Sequence, residues 1–333
     1  MTVFTTLTTA LPRRTAVGLT LAALAVSATA QVASFPTKPV KLVVPYPAGG
    51  PIDGVARGLA ERLGRLWGQP VVVDNKGGAN EIIAGDFTAK SAPDGYTILL
   101  GADPTFSGNQ FLFKKMPFNP VTDLVPITRV VNVNMAFIVP GSLPVNTLKE
   151  FVALIKANPG KYNYGSAGAG GPTHVQVDAF LRQEALQMTH VAYKGIAPAA
   201  QDVLSGQVQA MVAGSSAATP HVPTGKMKVL AINGPKRAKG LPQVPTFTEA
   251  GFPNTEMYFY LGLTAPKGTP KAIVDQIAAD TRKVLGDATF VEKTLDVFGF
   301  DPIQETPEQF AEFLKRDRAM AEKKIRDANV SLD

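Results

Sequence analysis

From Val40 onward the chain alternates between short, unbroken apolar runs and longer stretches whose apolar residues recur every three or four positions. Val40 to Pro45 reads as a strand. Ile52, Val55, Ala56, Leu59, Leu63 and Leu66 then share one helical face, and Val71-Val72-Val73 is a second strand. A helix carrying Ile82, Ile83 and Phe87 follows, with the turn Pro93-Asp94-Gly95 and a strand from Tyr96 to Leu100 behind it. Strands that are apolar throughout are buried on both faces, so the pattern predicts an α/β fold with a parallel sheet covered by helices.

The pattern then repeats. Thr147-Leu148-Lys149-Glu150 is a capping signature for a helix carrying Phe151, Val152, Leu154 and Ile155, which Asn158-Pro159-Gly160 ends. Further strands are expected near Tyr162, Met188 to Val191, Gln209 to Val212 and Lys228 to Ile232. Two β-prone runs, Arg129 to Val139 and the aromatic-rich Met257 to Leu263, read as linker strands between two domains. Domain 1 is then 36–132 plus 258–333, and domain 2 is 133–257. The last helices, one from near Pro270 and one opened by Thr306-Pro307 with Gln309 behind, return to domain 1.

The N-terminus departs from this pattern. Arg13-Arg14, an uncharged stretch from Thr15 to Val26 and the small-x-small triplet Ala28-Thr29-Ala30 form a secretory leader over residues 1–30, with cleavage expected near Ala30. Composition narrows the class further. A chain of 333 residues with 45% apolar and 18% charged content is ordinary for a globular protein, and its lack of cysteine excludes disulfides, thiol nucleophiles and thiolate metal sites. Without Arg13 and Arg14 the formal charge falls from +6 to +4 with no long basic run, so nucleic acid is not an expected partner.

Two glycine-rich loops stand out. Pro45-Tyr46-Pro47-Ala48-Gly49-Gly50-Pro51-Ile52-Asp53 links a strand to a helix, and so does Ser166-Ala167-Gly168-Ala169-Gly170-Gly171 ahead of His174. Glycines expose the main chain, and the first turn of a helix offers N–H groups and partial positive charge, which together suit a carboxylate or phosphate. Two such loops suggest one ligand gripped from both sides. Asp53 is either a ligand contact or an acidic residue stabilising a first helical turn. Tyr193 and Lys194 follow a strand's C-terminal end, where open α/β sheets bind ligands, although Lys194 is equally a solvated charge. Catalytic motifs are missing: there is no Gly-x-Ser-x-Gly elbow, phosphate-binding Gly-Lys-Ser/Thr loop or His-Glu-x-x-His helix, and His174, His190 and His221 lack metal-ligand spacing. No cofactor is expected.

In this order, Pro45-Tyr46-Pro47-Ala48-Gly49-Gly50-x-x-Asp53, Pro93-Asp94-Gly95-Tyr96-Thr97, Ser166-Ala167-Gly168-x-Gly170, His174, Tyr193-Lys194-Gly195, Gly206-Gln207-Val208, Pro245-Thr246 with Glu249-Ala250-Gly251, and Ala265-Pro266-x-Gly268-Thr269-Pro270 resemble the Bug family, periplasmic receptors of tripartite tricarboxylate transporters. The resemblance spans the whole mature chain. It implies a periplasmic binding protein fold, type II-like, with two doubly wound α/β domains joined by two crossover strands and a cleft between them. It also implies that Tyr46, Ala48, Gly49 and Gly50 meet one end of a small carboxylate, and that Ser166, Ala167, Gly168, Ala169, Gly170 and His174 meet the other.

Departures from the family pattern bear on the ligand. Asn75-Lys76-Gly77-Gly78-Ala79-Asn80-Glu81 stands where the family has Asn-Arg/Lys-Pro-Gly-Ala-Gly-Gly, and Asp103 is a further acid at a strand end. Were Glu81 or Asp103 to face the cleft, it would repel a second carboxylate and pair with an ammonium; the alternative is that both face solvent. Ala192 replaces a family proline, and Gly171 a common serine.

These readings give a monomeric, non-enzymatic periplasmic receptor that captures an amino acid, dicarboxylate or other organic acid for membrane permease subunits. The alternatives are a sensor presenting its closed form to a membrane histidine kinase, and an enzyme using the same cleft with His174 as base.

Overall fold

A computed structural model describes residues 1–3, 5, 35–255 and 257–332. The expected leader core and its cleavage position near Ala30 lie outside the described residues. The chain divides into Met1–Thr37 and the unit Lys38–Asp333. All the elements that follow belong to the second unit.

Among the described residues, eleven strands form two sheets. β1 (Val40–Val44), β2 (Val71–Asn75) and β3 (Thr97–Ala102) run parallel, with β1 in the middle. β4 (Leu124–Val133), β10 (Phe259–Pro266) and β11 (Phe300–Pro302) complete the order β11-β4-β10-β3-β1-β2. The second sheet has the order β7-β6-β8-β5-β9, built from β5 (Met135–Pro140), β6 (Asn163–Ser166), β7 (Thr189–Ala192), β8 (Ala210–Gly214) and β9 (Met227–Ile232). The pattern predicts parallel sheets, whereas each sheet is mixed: β10 runs antiparallel to β3 and β4, and β5 antiparallel to β8 and β9. The antiparallel strands lie at the crossings. β4 and β5 form one nearly continuous run interrupted at Asn134, and the chain leaves β9 at Ile232 and rejoins the first sheet at Phe259.

The helices form where the 3.6-residue period predicts them. α1 (Pro51–Trp67) buries Val55, Ala56, Leu59, Ala60 and Leu63, and α2 (Ile82–Ala89) precedes β3. α3 (Leu148–Ala157) is capped by the Thr147 hydroxyl, which accepts from Glu150 N–H. α4 (Pro172–Gln183) and α5 (Ile196–Ser205) join strands of the second sheet. α6 (Lys271–Leu285) and α7 (Pro307–Ala328) return to the first, and at Thr306 the reciprocal capping box with Gln309 is complete. Removing one such cap costs about 1 kcal/mol.

The core of the first sheet gathers Val43, Leu99, Phe106, Tyr260, Phe310 and Leu314, and the second sheet's core gathers Ile138, Val203, Met211, Ala213 and Ile232. A third, smaller cluster joins Leu112 and Ile325, on the side of the first sheet, to Val175 of α4, with Phe111, Val330 and Leu332 packed on it. This cluster brings the two sheets' elements together beside the site. No helix among the described residues is long and apolar enough to cross a membrane.

Candidate functional site

A cavity of about 50 Å³ lies where the two sheets' elements meet. Asn80, Asp103, Gly108 and Leu112 line it from one side, Gly170, Pro172, Val175 and Gln176 from the other, and Tyr258, Asp317, Ala321, Lys324 and Ile325 close it. It is small beside a cavity of roughly 150 Å³ that holds benzene.

Ala79, Asn80 and Glu81 all have positive φ, at 47°, 49° and 74°. Left-handed backbone costs a residue with a side chain about 1 kcal/mol or more, so three in succession persist only where their surroundings hold them. The surroundings do so. Asn80 Nδ2 donates to Asn109 Oδ1 at 2.6 Å, and Asn109 Nδ2 donates back to the Asn80 carbonyl at 2.7 Å. The Glu81 carboxylate, 4% exposed, accepts from the Tyr46 hydroxyl, the Thr105 hydroxyl and Ala102 N–H. Burial raises the Glu81 pKa, and these hydrogen bonds offset only part of the rise. Burial, with Glu81 alongside, also raises Tyr46 well above its ordinary value. The strained turn presents Asn80 to the cavity with Glu81 anchored behind it.

Asp103 follows β3 directly. Its Oδ1 is shielded from solvent and has no hydrogen-bond partner. Burial raises its pKa well above the usual carboxylate range, and the nearby charges of Asp317 and Glu81 add to that, while Lys324 opposes it. Asp317 of α7 is 2% exposed and accepts from the hydroxyls of Ser107, Tyr258 and Tyr260. Lys324 lies over the Tyr258 ring, 5.1 Å from its centre. Gln176 donates from Nε2 to the Tyr258 carbonyl, and its buried Oε1 has no partner.

The two glycine loops have the same build. Gly49 and Gly170 both have positive φ, 86° and 73°. Gly50 and Gly171 are extended, and Pro51 and Pro172 open the helices. In each loop the third helical residue accepts from the N–H of the first glycine: Gly49 donates to Asp53 Oδ2 at 2.9 Å, and Gly170 to His174 Nδ1 at 3.0 Å. Ala167 N–H donates to the Thr173 hydroxyl, and Gly168 N–H to the Ser166 hydroxyl. The sequence reading has these amides gripping a ligand. In this structure several of them are taken by side chains of their own loop, because residues of the first helical turn reach back to cap it.

Asp53 also accepts from Arg57 Nε at 2.8 Å and Asn75 Nδ2 at 2.9 Å. Burial acts to raise its pKa, and the hydrogen bonds from Arg57, Gly49 and Asn75 outweigh it, so the net shift is downward. His174 stacks on His190 with ring centres 3.7 Å apart, and His190 Nε2 lies 2.7 Å from the Ser166 hydroxyl. Burial lowers His174, and burial together with His174 lowers His190 to about 4, so both rings are neutral at neutral pH.

Of the residues singled out in the sequence, the cavity brings together Asn80, Asp103 and Gly170. Tyr46 and Glu81 stand behind Asn80. Ala48 and Gly49 are exposed, Gly50 is partly exposed, and Asp53 is buried in its own loop. Ser166, Ala167, Gly168, Ala169 and His174 build the second loop around Gly170, while the Tyr193 hydroxyl donates to Asp202 and Lys194 is exposed. Sequence reasoning missed Gln176, Tyr258, Asp317 and Lys324. A signal for two of them existed: Asp317 and Lys324 continue the Phe310, Leu314, Ala321, Ile325 stripe of α7, where a soluble helix normally places apolar residues. Among the described residues, no group of three or more His, Asp or Glu is placed to hold a metal ion.

Residues 55–330 match the model of the tripartite tricarboxylate transporter family receptor. The chain is similar to a solved Rhodopseudomonas palustris protein carrying adipate, at 31% identity and a TM-score of 0.80, covering 89% of this chain and 99% of that one. It is similar to the periplasmic binding protein BugD at 35% identity and a TM-score of 0.76, covering 89% and 99%. MatC from Rhodopseudomonas palustris, solved with bound malate, is 29% identical with a TM-score of 0.75, covering 87% and 100%.

Proposed function

Because the chain belongs to the tripartite tricarboxylate transporter family of receptors, we propose that it binds a small carboxylate in the cavity between its two sheets and delivers it to a membrane permease. One observation carries this reading: polar residues from the elements of both sheets, among them Asn80 on its strained turn and Asp103 and Gln176 with an unpartnered oxygen each, line a single cavity. The adipate and malate in its structural neighbours support a small organic acid with at least one carboxylate as the ligand.

The two sheets are the cores of two lobes with boundaries near residues 132 and 258, and the lobes close on the ligand. The cluster of Leu112, Val175 and Ile325 is the contact that closure makes. The small volume of the cavity, about 50 Å³, supports lobes that part for loading. Binding shifts this equilibrium and breaks no bond in the ligand. The stacked, neutral, hydrogen-bonded histidines fit a role in holding the second loop, not one as a base. The protein acts in the periplasm, exported by a leader removed near Ala30. A micromolar dissociation constant corresponds to about 8 kcal/mol, which a few charge-assisted hydrogen bonds in a closed cavity supply.

A thermal-shift screen of small organic acids tests this. A ligand at a hundred times its dissociation constant stabilises the native state by about 2.7 kcal/mol and raises the melting temperature by several degrees. If no carboxylate raises it at millimolar concentration, the receptor reading fails.

A further inference from the structure

The cavity wall is unbalanced in hydrogen-bonding terms. Gln176 is 6% exposed, and its Oε1 is a buried acceptor with nothing to accept from. Its orientation is set by Nε2 donating to the Tyr258 carbonyl, since exchanging the two amide atoms would set two acceptors against each other. Asp103 Oδ1 is a second shielded acceptor without a partner. Buried polar groups are satisfied in nine cases out of ten or more, so two orphaned acceptors on residues that line one cavity call for a donor from outside the chain.

Resting on the receptor reading above, we propose that the ligand is a small carboxylate that also carries a positively charged nitrogen, whose N–H groups are taken by Asp103 Oδ1 and Gln176 Oε1. The charges on the wall agree with this. Asp103 and Asp317 line the cavity with Glu81 behind, so a second carboxylate at that end would face like charge. Lys324, also on the wall, acts on Asp103 and so places a positive charge within range of the same site. Burial, Asp317 and Glu81 hold the empty Asp103 carboxyl well above its usual range against the pull of Lys324, and a cation placed beside it draws it back toward ionisation.

Matched probes test the proposal: 6-aminohexanoate against adipate and 4-aminobutanoate against succinate, titrated calorimetrically into the full chain. In at least one pair the amino member binds about 10- to 100-fold tighter, as expected for a charge-assisted pair. Asp103→Asn removes that preference while raising the melting temperature of the unliganded protein by about 2–4 °C, because a carboxyl crowded by Asp317 and Glu81 becomes a neutral amide. A merely structural aspartate would not move stability and affinity in opposite directions. Gln176→Met, which removes the Oε1 acceptor together with the Nε2 bond to the Tyr258 carbonyl, weakens the amino member several-fold and the dicarboxylate less.

Tighter binding of the dicarboxylate in both pairs, or a preference unchanged in Asp103→Asn, overturns the proposal and leaves the carboxylate receptor standing. If neither member of either pair binds while other carboxylates do, the proposal fails again and the receptor reading survives. If no carboxylate binds at all, both fail.

Discussion

The loops at Gly49 and Gly170 share the residues Ala-Gly-Gly-Pro, the same alternation of left-handed and extended glycine, and an acceptor at the third helical position. They differ in what that acceptor is and in what lies opposite. Asp53 brings a full negative charge, pairs with Arg57 and cancels the positive end of α1, and its loop is exposed at Ala48 and Gly49. His174 caps its loop as a neutral ring, leaving the positive end of α4 uncancelled beside the cavity. The comparison shows that one Ala-Gly-Gly-Pro build can stand exposed or line a cavity, and that the side chain reaching back to it and its placement, not the glycines, make the difference.

The largest effect expected from this difference is at the first glycine of each loop. Gly170→Ala forces a β-carbon into left-handed backbone and within 3.0 Å of Leu332 and 3.2 Å of Leu112, so it obstructs closure. We expect at least a tenfold loss of ligand affinity together with lower stability. Gly49→Ala meets nothing within 4 Å and carries only the backbone strain of about 1–2 kcal/mol, with affinity unchanged. Calorimetry and thermal melts on the two variants check this, and equal losses of affinity would erase the distinction.

A smaller effect is expected from acid. Unfolded histidine takes a proton near 6.5, but His190 in the folded chain takes one only near 4, so the unfolded state binds more protons between those values. Stability therefore falls as pH drops from about 6.5 to about 4 at the second loop. Asp53 is depressed in the folded state, so its contribution is present above the ordinary carboxylate pKa and is lost only as pH falls through its lower folded value. Melting temperature against pH should decline in that order, and His190→Gln should flatten the upper part of the decline.

Strands, helix starts and the two crossings were legible in the chain because burial on both faces and 3.6-residue periodicity are local signals. The direction of β10 and β5 was not, since a crossing strand takes its sense from where the chain comes from. Asn80 stood out as an amide where the resembled family has glycine and Asp103 as an acid at a strand end, and both line the cavity. Tyr193 occupies the corresponding place after β7, yet its hydroxyl is bound to Asp202, a partner nine residues on that no rule about strand ends anticipates. Gln176, Asp317 and Lys324 come from helices distant in sequence, and only the misfit of Asp317 and Lys324 on an apolar stripe hinted at them. The repeat of Ala-Gly-Gly-Pro was readable, but the opposite fates of the two copies depend on packing across the cavity.

A crystal structure of the protein grown with 6-aminohexanoate tests the central claim most directly. The account predicts one molecule between the sheets, touching Asp103 from one side and Gln176 and the Gly170 loop from the other. A molecule seated at the Gly49 loop without any contact from the second sheet would contradict it.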